Sequence, residues 1–402
     1  MPSFIQKRFT NPETFRKIRP DLLWAWLKQS ESYFNKRGLV LPANGENLGA
    51  DAFSPRLDYD GLVRVFMEPT ADMPVELVDG LHLVHEMGRP ARVESMFQEA
   101  CRSGLDLGLG EDATPEDVAV KLLLLDPRVL ENLRNCDVMT RRRSFEYFTT
   151  DAVPVPRFDG PTLDQIRALE GRLNAFYVAW RRGGGTRVFA YCQQKMGQDS
   201  PEWLFLVRHG ALFRREEAMD NGEPTSVVYR PRKYALLKYD AGRGEMGVYC
   251  SEERERKILL KVFGKALFGR DNYFPGTAKF DLRPLVCRGR AALAWADVPP
   301  IEQVRLTDLE FFRRRAPWRR VIQQADDLFA LIEGGELCWP RDVTEITRAT
   351  FTVKFWRQSR ARRVTIVPCN RALYSRDEDS PILERWMAAR HIIQGTTELQ
   401  AA

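Results

Sequence analysis

Four runs decide the fold: RVFAYCQQ (187–194), WLFLVRHG (203–210), SVVYRPRKYALLKYD (226–240) and EMGVYC (245–250). Side chains along a strand point alternately to opposite faces, and these runs are rich in the Val, Tyr, Phe and Leu that suit a pleated, half-buried surface. Each run predicts a strand, and AGRGEMG (241–247) between the last two reads as a hairpin turn.

Helical periods flank these strands. On the N-terminal side, Thr162 and Gln165 form a capping box for a helix reaching about Trp180, with Ile166, Leu169, Leu173, Phe176 and Tyr177 in its apolar stripe. The GlyGlyGly at 183–185 ends that helix. On the C-terminal side, Ser251 reads as the cap of a second amphipathic helix, with Glu252, Glu253 and Glu255 at its positive end. Strand-like runs follow at 279–290 and 301–313. A hairpin of TFTVKFW (350–356) and RRVTIVPC (362–369) comes next, then a helix from about Pro381 to His391.

Further out, the first 150 residues are helical in pattern. Helices are predicted at 19–37, 58–68, 74–87, 91–104, 115–125 and 127–137. The helix at 115 has Thr114 as N-cap, Pro115 at its first position and Asp117 placed to close a capping box. RRRSFEYF (141–148) reads as a strand and the proline-rich TTDAVPVPRFDGP (149–161) as a linker. The fold class is therefore α+β: an all-helical N-terminal domain, then a mixed, antiparallel-dominated β-rich region with two amphipathic helices. The domains expected are an acidic helical one at 1–145, a mixed one at 146–300, and a basic β-rich region at 301–402 that joins the second if one sheet serves both.

Charge follows the same division. Residues 1–150 hold 19 Lys/Arg against 23 Asp/Glu, whereas 151–402 hold 42 against 32. From Arg348 to Arg376 there are eight cations and no carboxylate. A basic half attracts polyanions through its summed field. The seven cysteines lie at least 30 residues apart, which fits reduced, mostly buried thiols and not a disulfide framework or a CxxC zinc site. The N-terminus lacks a secretory pattern and no apolar run reaches the roughly 20 residues that span a bilayer, so a cytoplasmic protein is expected, prokaryotic from its arginine-rich style.

The candidate nucleic-acid contacts lie in two clusters. On the 350–356 strand, alternation puts Phe351, Val353 and Phe355 on a core face, with Thr352, Lys354 and Trp356 opposite. Arg357, Arg360, Arg362 and Arg363 crowd the turn beyond, and Arg suits this role because its planar fork matches phosphate and stacks on bases. The second cluster, FFRRRAPWRR (311–320), places Arg313, Arg314, Arg315, Arg319 and Arg320 around Trp318. A cation beside an aromatic is what tracking a phosphate backbone and stacking a base require. Solvated sheet-edge charge, or arginines paired within the chain, would give the same composition.

Three enzyme readings compete. LFLVRHGALF (204–213), an apolar strand ending in Arg-His-Gly, resembles the opening motif of the histidine phosphatase superfamily. That resemblance implies His209 as the phosphoryl acceptor and Arg208 as a phosphate clamp. Only His391 is left to serve as its second histidine, and strands precede the motif where the family has none. In the 76–87 helix, Asp79, His82 and Glu86 share a face at metal-ligand spacing, without the order of a zinc protease. The acidic pairs Glu216/Glu217 and Asp326/Asp327 could belong to a metal-dependent nuclease, yet neighbours on a strand point apart. No nucleophile elbow, Walker loop or dinucleotide fingerprint is present, and no cofactor is implied. The expectation is a non-enzymatic, nucleic-acid-associated accessory or regulatory protein, with its acidic helical domain recruiting a protein partner. A prokaryotic defence or regulatory complex would suit such a part.

Overall fold

The computed structural model describes residues 9, 11–43, 56–70, 72–110, 112–140, 143–193, 200–220, 223–313, 319–338, 343–376 and 379–394. The chain divides into two compact units, Met1–Val138 and Met139–Ala402. Among the described residues no helix is long and apolar enough to cross a membrane.

The first unit is helical: α1 (Pro12–Arg16), α2 (Pro20–Lys28), α3 (Glu31–Lys36), α4 (Tyr59–Met67), α5 (Val75–Met87), α6 (Val93–Arg102), α7 (Pro115–Leu125) and α8 (Pro127–Thr140), the last ending two residues past the boundary. The stretch read as one helix over 19–37 is two, because the chain turns at Gln29 and Ser30 so that Trp26, Leu27, Tyr33 and Phe34 all reach the core. Thr114 caps α7 as the pattern predicted, and the capping box is complete. Asp117 has a second use: besides accepting from Thr114 N–H it accepts from the Arg19 N–H at 2.7 Å, fixing the start of α2 against α7.

The second unit is built on one antiparallel sheet. Its elements are β1 (Ser144–Thr149), α9 (Leu163–Ala179), β2 (Arg187–Gln193), β3 (Glu202–Gly210), β4 (Arg214–Asp220), β5 (Glu223–Tyr229), β6 (Arg232–Asp240), β7 (Glu245–Tyr249), α10 (Glu253–Phe268), α11 (Arg283–Arg288), β8 (Ile301–Arg313), β9 (Arg319–Gln324), α12 (Leu328–Glu333), β10 (Val343–Phe355), β11 (Arg362–Val367), β12 (Arg371–Leu373) and α13 (Ser380–Ala389). The ten-stranded order is β2-β3-β6-β7-β1-β12-β11-β10-β8-β9, while among the described residues β4 and β5 pair only with each other. The sheet thus takes strands from both 146–300 and 301–402. The class is α+β, with a helical unit followed by an antiparallel-dominated one.

Two layers cover parts of this sheet. Leu169, Leu173 and Tyr177 of α9 and Leu259 and Phe263 of α10 pack on Phe205, Val207, Leu237 and Val248. On the opposite face, Trp386 of α13 meets Phe351 edge-on at 5.5 Å and donates its indole N–H to Ala294 O at 3.0 Å. The ladder also carries buried ions: Lys238 contacts Glu202 at 2.6 Å and Lys279 contacts Glu245 at 2.5 Å. Burial is the largest single effect and lowers the Lys238 pKa, but the electrostatic pull of Glu202, Tyr147 and Glu384 together outweighs it and the net shift is upward.

Several sequence expectations are corrected. The 149–161 segment is not a free linker, because Phe158 is buried against Trp203, Tyr239 and Phe268. SVVYRPRKYALLKYD is two strands, divided at Arg230 and Pro231, since proline cannot donate to a ladder. The 279–290 run is not a strand: Pro284 in the first turn starts α11, followed by a 3₁₀ turn over Gly289–Leu293. Ser251 does not cap α10; Glu252 is the N-cap residue, without a side-chain cap hydrogen bond. The thiols are not mostly buried. Cys101, Cys192, Cys287, Cys338 and Cys369 are exposed, whereas burial pushes Cys136 up to about 12 and Cys250 up to about 11. Cys192 lies on edge strand β2 and Cys101 and Cys287 in last helical turns, where packing does not reach them.

Candidate nucleic-acid interface

The β10–β11 hairpin forms as its alternation predicts. Phe351, Val353 and Phe355 are buried, Val353 lies opposite Arg362 and Thr350 opposite Thr365. Across the sheet, Thr350 also faces Asp308 and Arg348 faces Glu310, while Val367 faces Arg371 and Glu146 faces Arg371 in turn. The polar face of five neighbouring strands therefore carries arginines in rows. There it forms a concavity of about 720 Å³, lined by Arg143, Arg320, Arg348, Arg363 and Arg371 over a floor that includes Thr347, Thr350 and Thr365.

Carboxylates position these arginines. Arg320 donates to Glu310 at 2.8 Å, as does the Thr347 hydroxyl at 2.9 Å. Arg348 Nη2 forms an ion pair with Glu310 Oε2 at 3.0 Å. The Arg320 hydrogen bond, with help from Thr347 and Arg348, holds the Glu310 carboxyl below its ordinary pKa against the effect of burial. Arg363 reaches Asp308 at 3.2 Å, and Asp308 also accepts from the Thr307 hydroxyl. At the border with the helix layer, Glu146 lies 3.0 Å from Arg256 of α10 and 3.9 Å from Arg371. Two carboxylates thus serve two arginines each, and Arg143 has no ion-pair partner among the described residues.

The predicted contacts are distributed around this concavity and beyond it. Arg320 and Arg363 line it. Lys354 is half-exposed and paired with Glu302 at 2.9 Å. Trp356 is 61% exposed, and the Arg357 guanidinium lies 4.2 Å from its ring centroid, so the cation–aromatic stack is already made within the chain. Arg360 is exposed at the turn. Arg362 is turned toward Asp379 at 2.8 Å. Arg313 and Arg319 pair at the ends of β8 and β9, and Arg314, Arg315 and Trp318 lie outside the described residues. Arg143, Arg348 and Arg371 escaped the sequence reading. The cation count over 348–376 included Arg348 and Arg371, but only strand order shows that they converge.

His209 occupies a different setting. It is 4% exposed, its ring is stacked on Tyr177 at 4.0 Å, its Nε2 lies 3.0 Å from Glu255 and its Nδ1 lies 2.8 Å from the Gly210 carbonyl. Both ring nitrogens are engaged, so the imidazole is held and not presented to a phosphate. Tyr177 also donates to Glu255 at 2.8 Å, and Arg182 pairs with Glu252 and Glu255. In the helical unit, Glu86 faces Arg134 at 3.6 Å, and burial is the first cause lowering the His82 pKa. No group of three metal-ligating side chains occurs among the described residues. Asp327 is the N-cap of α12, accepting from the N–H groups of Phe329 and Ala330. No family model matches this chain, and no curated protein matches it either.

Proposed function

We propose that this protein is a non-enzymatic accessory or regulatory protein that holds nucleic acid by its phosphate backbone on the arginine face that runs from β1 across β12, β11, β10 and β8 to β9. The observation that carries the reading is the surplus of guanidinium over carboxylate around one concavity, with Arg320 and Arg348 sharing Glu310 and Arg371 and Arg256 sharing Glu146. An arginine fixed by one carboxylate keeps outward N–H groups for a second anion, and less side-chain entropy is lost when that anion binds. The acidic helical unit is the part proposed to meet a protein partner.

A second reading, a protein-binding scaffold whose charges are satisfied internally, draws support from the same ion pairs. Fluorescence anisotropy with a labelled oligonucleotide separates the two. Arg143→Glu combined with Arg371→Glu is expected to weaken binding at least tenfold, with circular dichroism showing that the fold is retained. Equal affinity of variant and wild type, or no binding by either, would leave the scaffold reading standing and the first rejected.

A further inference from the structure

The arm formed by β4 and β5 lies outside the ten-stranded sheet and outside the reading proposed above. It continues the β3–β6 ladder after a shift of register. Gly210 faces Arg232, but Arg214 faces Tyr229, so residues 211–213 oppose only 230–231. An extra residue of this kind bends and twists a ribbon. The step is tied down: Ala211 N–H donates to Pro231 O at 2.7 Å, and Arg230 donates to the carbonyls of Arg181 and Ala211 while lying 4.0 Å over Phe213.

Past this root, β4 and β5 have no third strand among the described residues. Every residue of β5 is exposed, including Val227 (51%) and Val228 (62%), and Met219 of β4 is 68% exposed. Two strands alone bury too little to be independently stable, and an uncovered edge is a template for another strand. The two edges differ. β4 carries Arg214, Arg215, Glu216 and Glu217, charges of the kind that blunt an edge, whereas in β5, after Glu223 and Pro224, ThrSerValValTyr (225–229) is uncharged and rich in β-branched residues. With Asp220 and Glu223 the arm holds four carboxylates against two arginines, which opposes insertion into a phosphate-lined groove.

We infer that the β5 edge pairs antiparallel with β5 of a second copy of this chain, about a twofold axis at Ser226. That register sets Thr225 opposite Val227 of the second copy and Glu223 opposite its Tyr229, so no like charges meet. The product is a four-stranded sheet with the charged β4 edges outermost. Because the shared edge is short and lacks a broad apolar core, the dimer forms reversibly with concentration.

Sedimentation equilibrium over about 1–100 µM tests this. Wild-type protein is expected to rise toward twice the chain mass. Ser226→Lys combined with Val228→Lys is expected to stay at the chain mass with the same thermal melt, since Ser226 faces Glu217 and Val228 is exposed within one arm. Glu217→Lys, on the other strand, should dimerise as wild type does. A wild type at single mass throughout, dimerisation persisting in the double variant, or its loss in Glu217→Lys would each overturn the assignment.

Discussion

At Glu255 three side chains from two separate stretches of the second unit converge: Tyr177 of α9 with Arg182 just beyond it, and His209 of β3. Burial works to raise the Glu255 pKa, but hydrogen bonds from His209 and Tyr177 and the charges of His209 and Arg182 outweigh it, so the carboxyl sits below its ordinary value. A depressed carboxylate stabilises the fold above its unfolded pKa of about 4.3, and that contribution is lost as pH falls through the lower folded pKa. Glu255→Gln is therefore expected to cost about 3 kcal/mol near neutrality, measured by urea unfolding, and progressively less in acid. A cost independent of pH would contradict the ionic account. The same geometry explains why the Arg-His-Gly resemblance could not be judged from sequence: the motif shows a histidine at a strand end, whereas its burial depends on Tyr177 and Glu255, 32 residues before it and 46 after.

Elements were legible where local chemistry fixes them. The capping boxes at Thr114 and Thr162 both form, and α5, α7, α9 and the β10–β11 hairpin lie close to where their periods put them. Thr162→Ala, which removes the acceptor for Gln165 N–H, should lower thermal stability by about 1 kcal/mol, and a Thr162→Ser control should recover most of it. The short elements β9, α12 and β12 were not read; the three residues of β12 carry too little period to register. The buried pair Lys279–Glu245 was equally invisible, since its partners are 34 residues apart. Lys279→Met alone should cost about 3–5 kcal/mol by stranding Glu245, while adding Glu245→Leu should restore much of that in the same denaturation assay.

Across the whole molecule, composition located the basic half but not where its arginines converge. Arginines at 143, 320, 348, 363 and 371 span more than 200 residues of chain, and the sheet order β1-β12-β11-β10-β8-β9 brings their strands side by side. The turn cluster that the sequence emphasised is partly consumed within the chain, with Arg362 on Asp379 and Arg357 on Trp356. The strand face beneath it retains the surplus charge. Its most direct test is the salt dependence of oligonucleotide affinity. Five phosphate contacts predict that log K falls with log salt at a slope of about −3.5 for a single strand or about −4.5 for duplex DNA, reduced by about 2 units in the Arg143→Glu, Arg371→Glu variant. A slope near zero, or one that this variant leaves unchanged, would contradict a phosphate-binding arginine face.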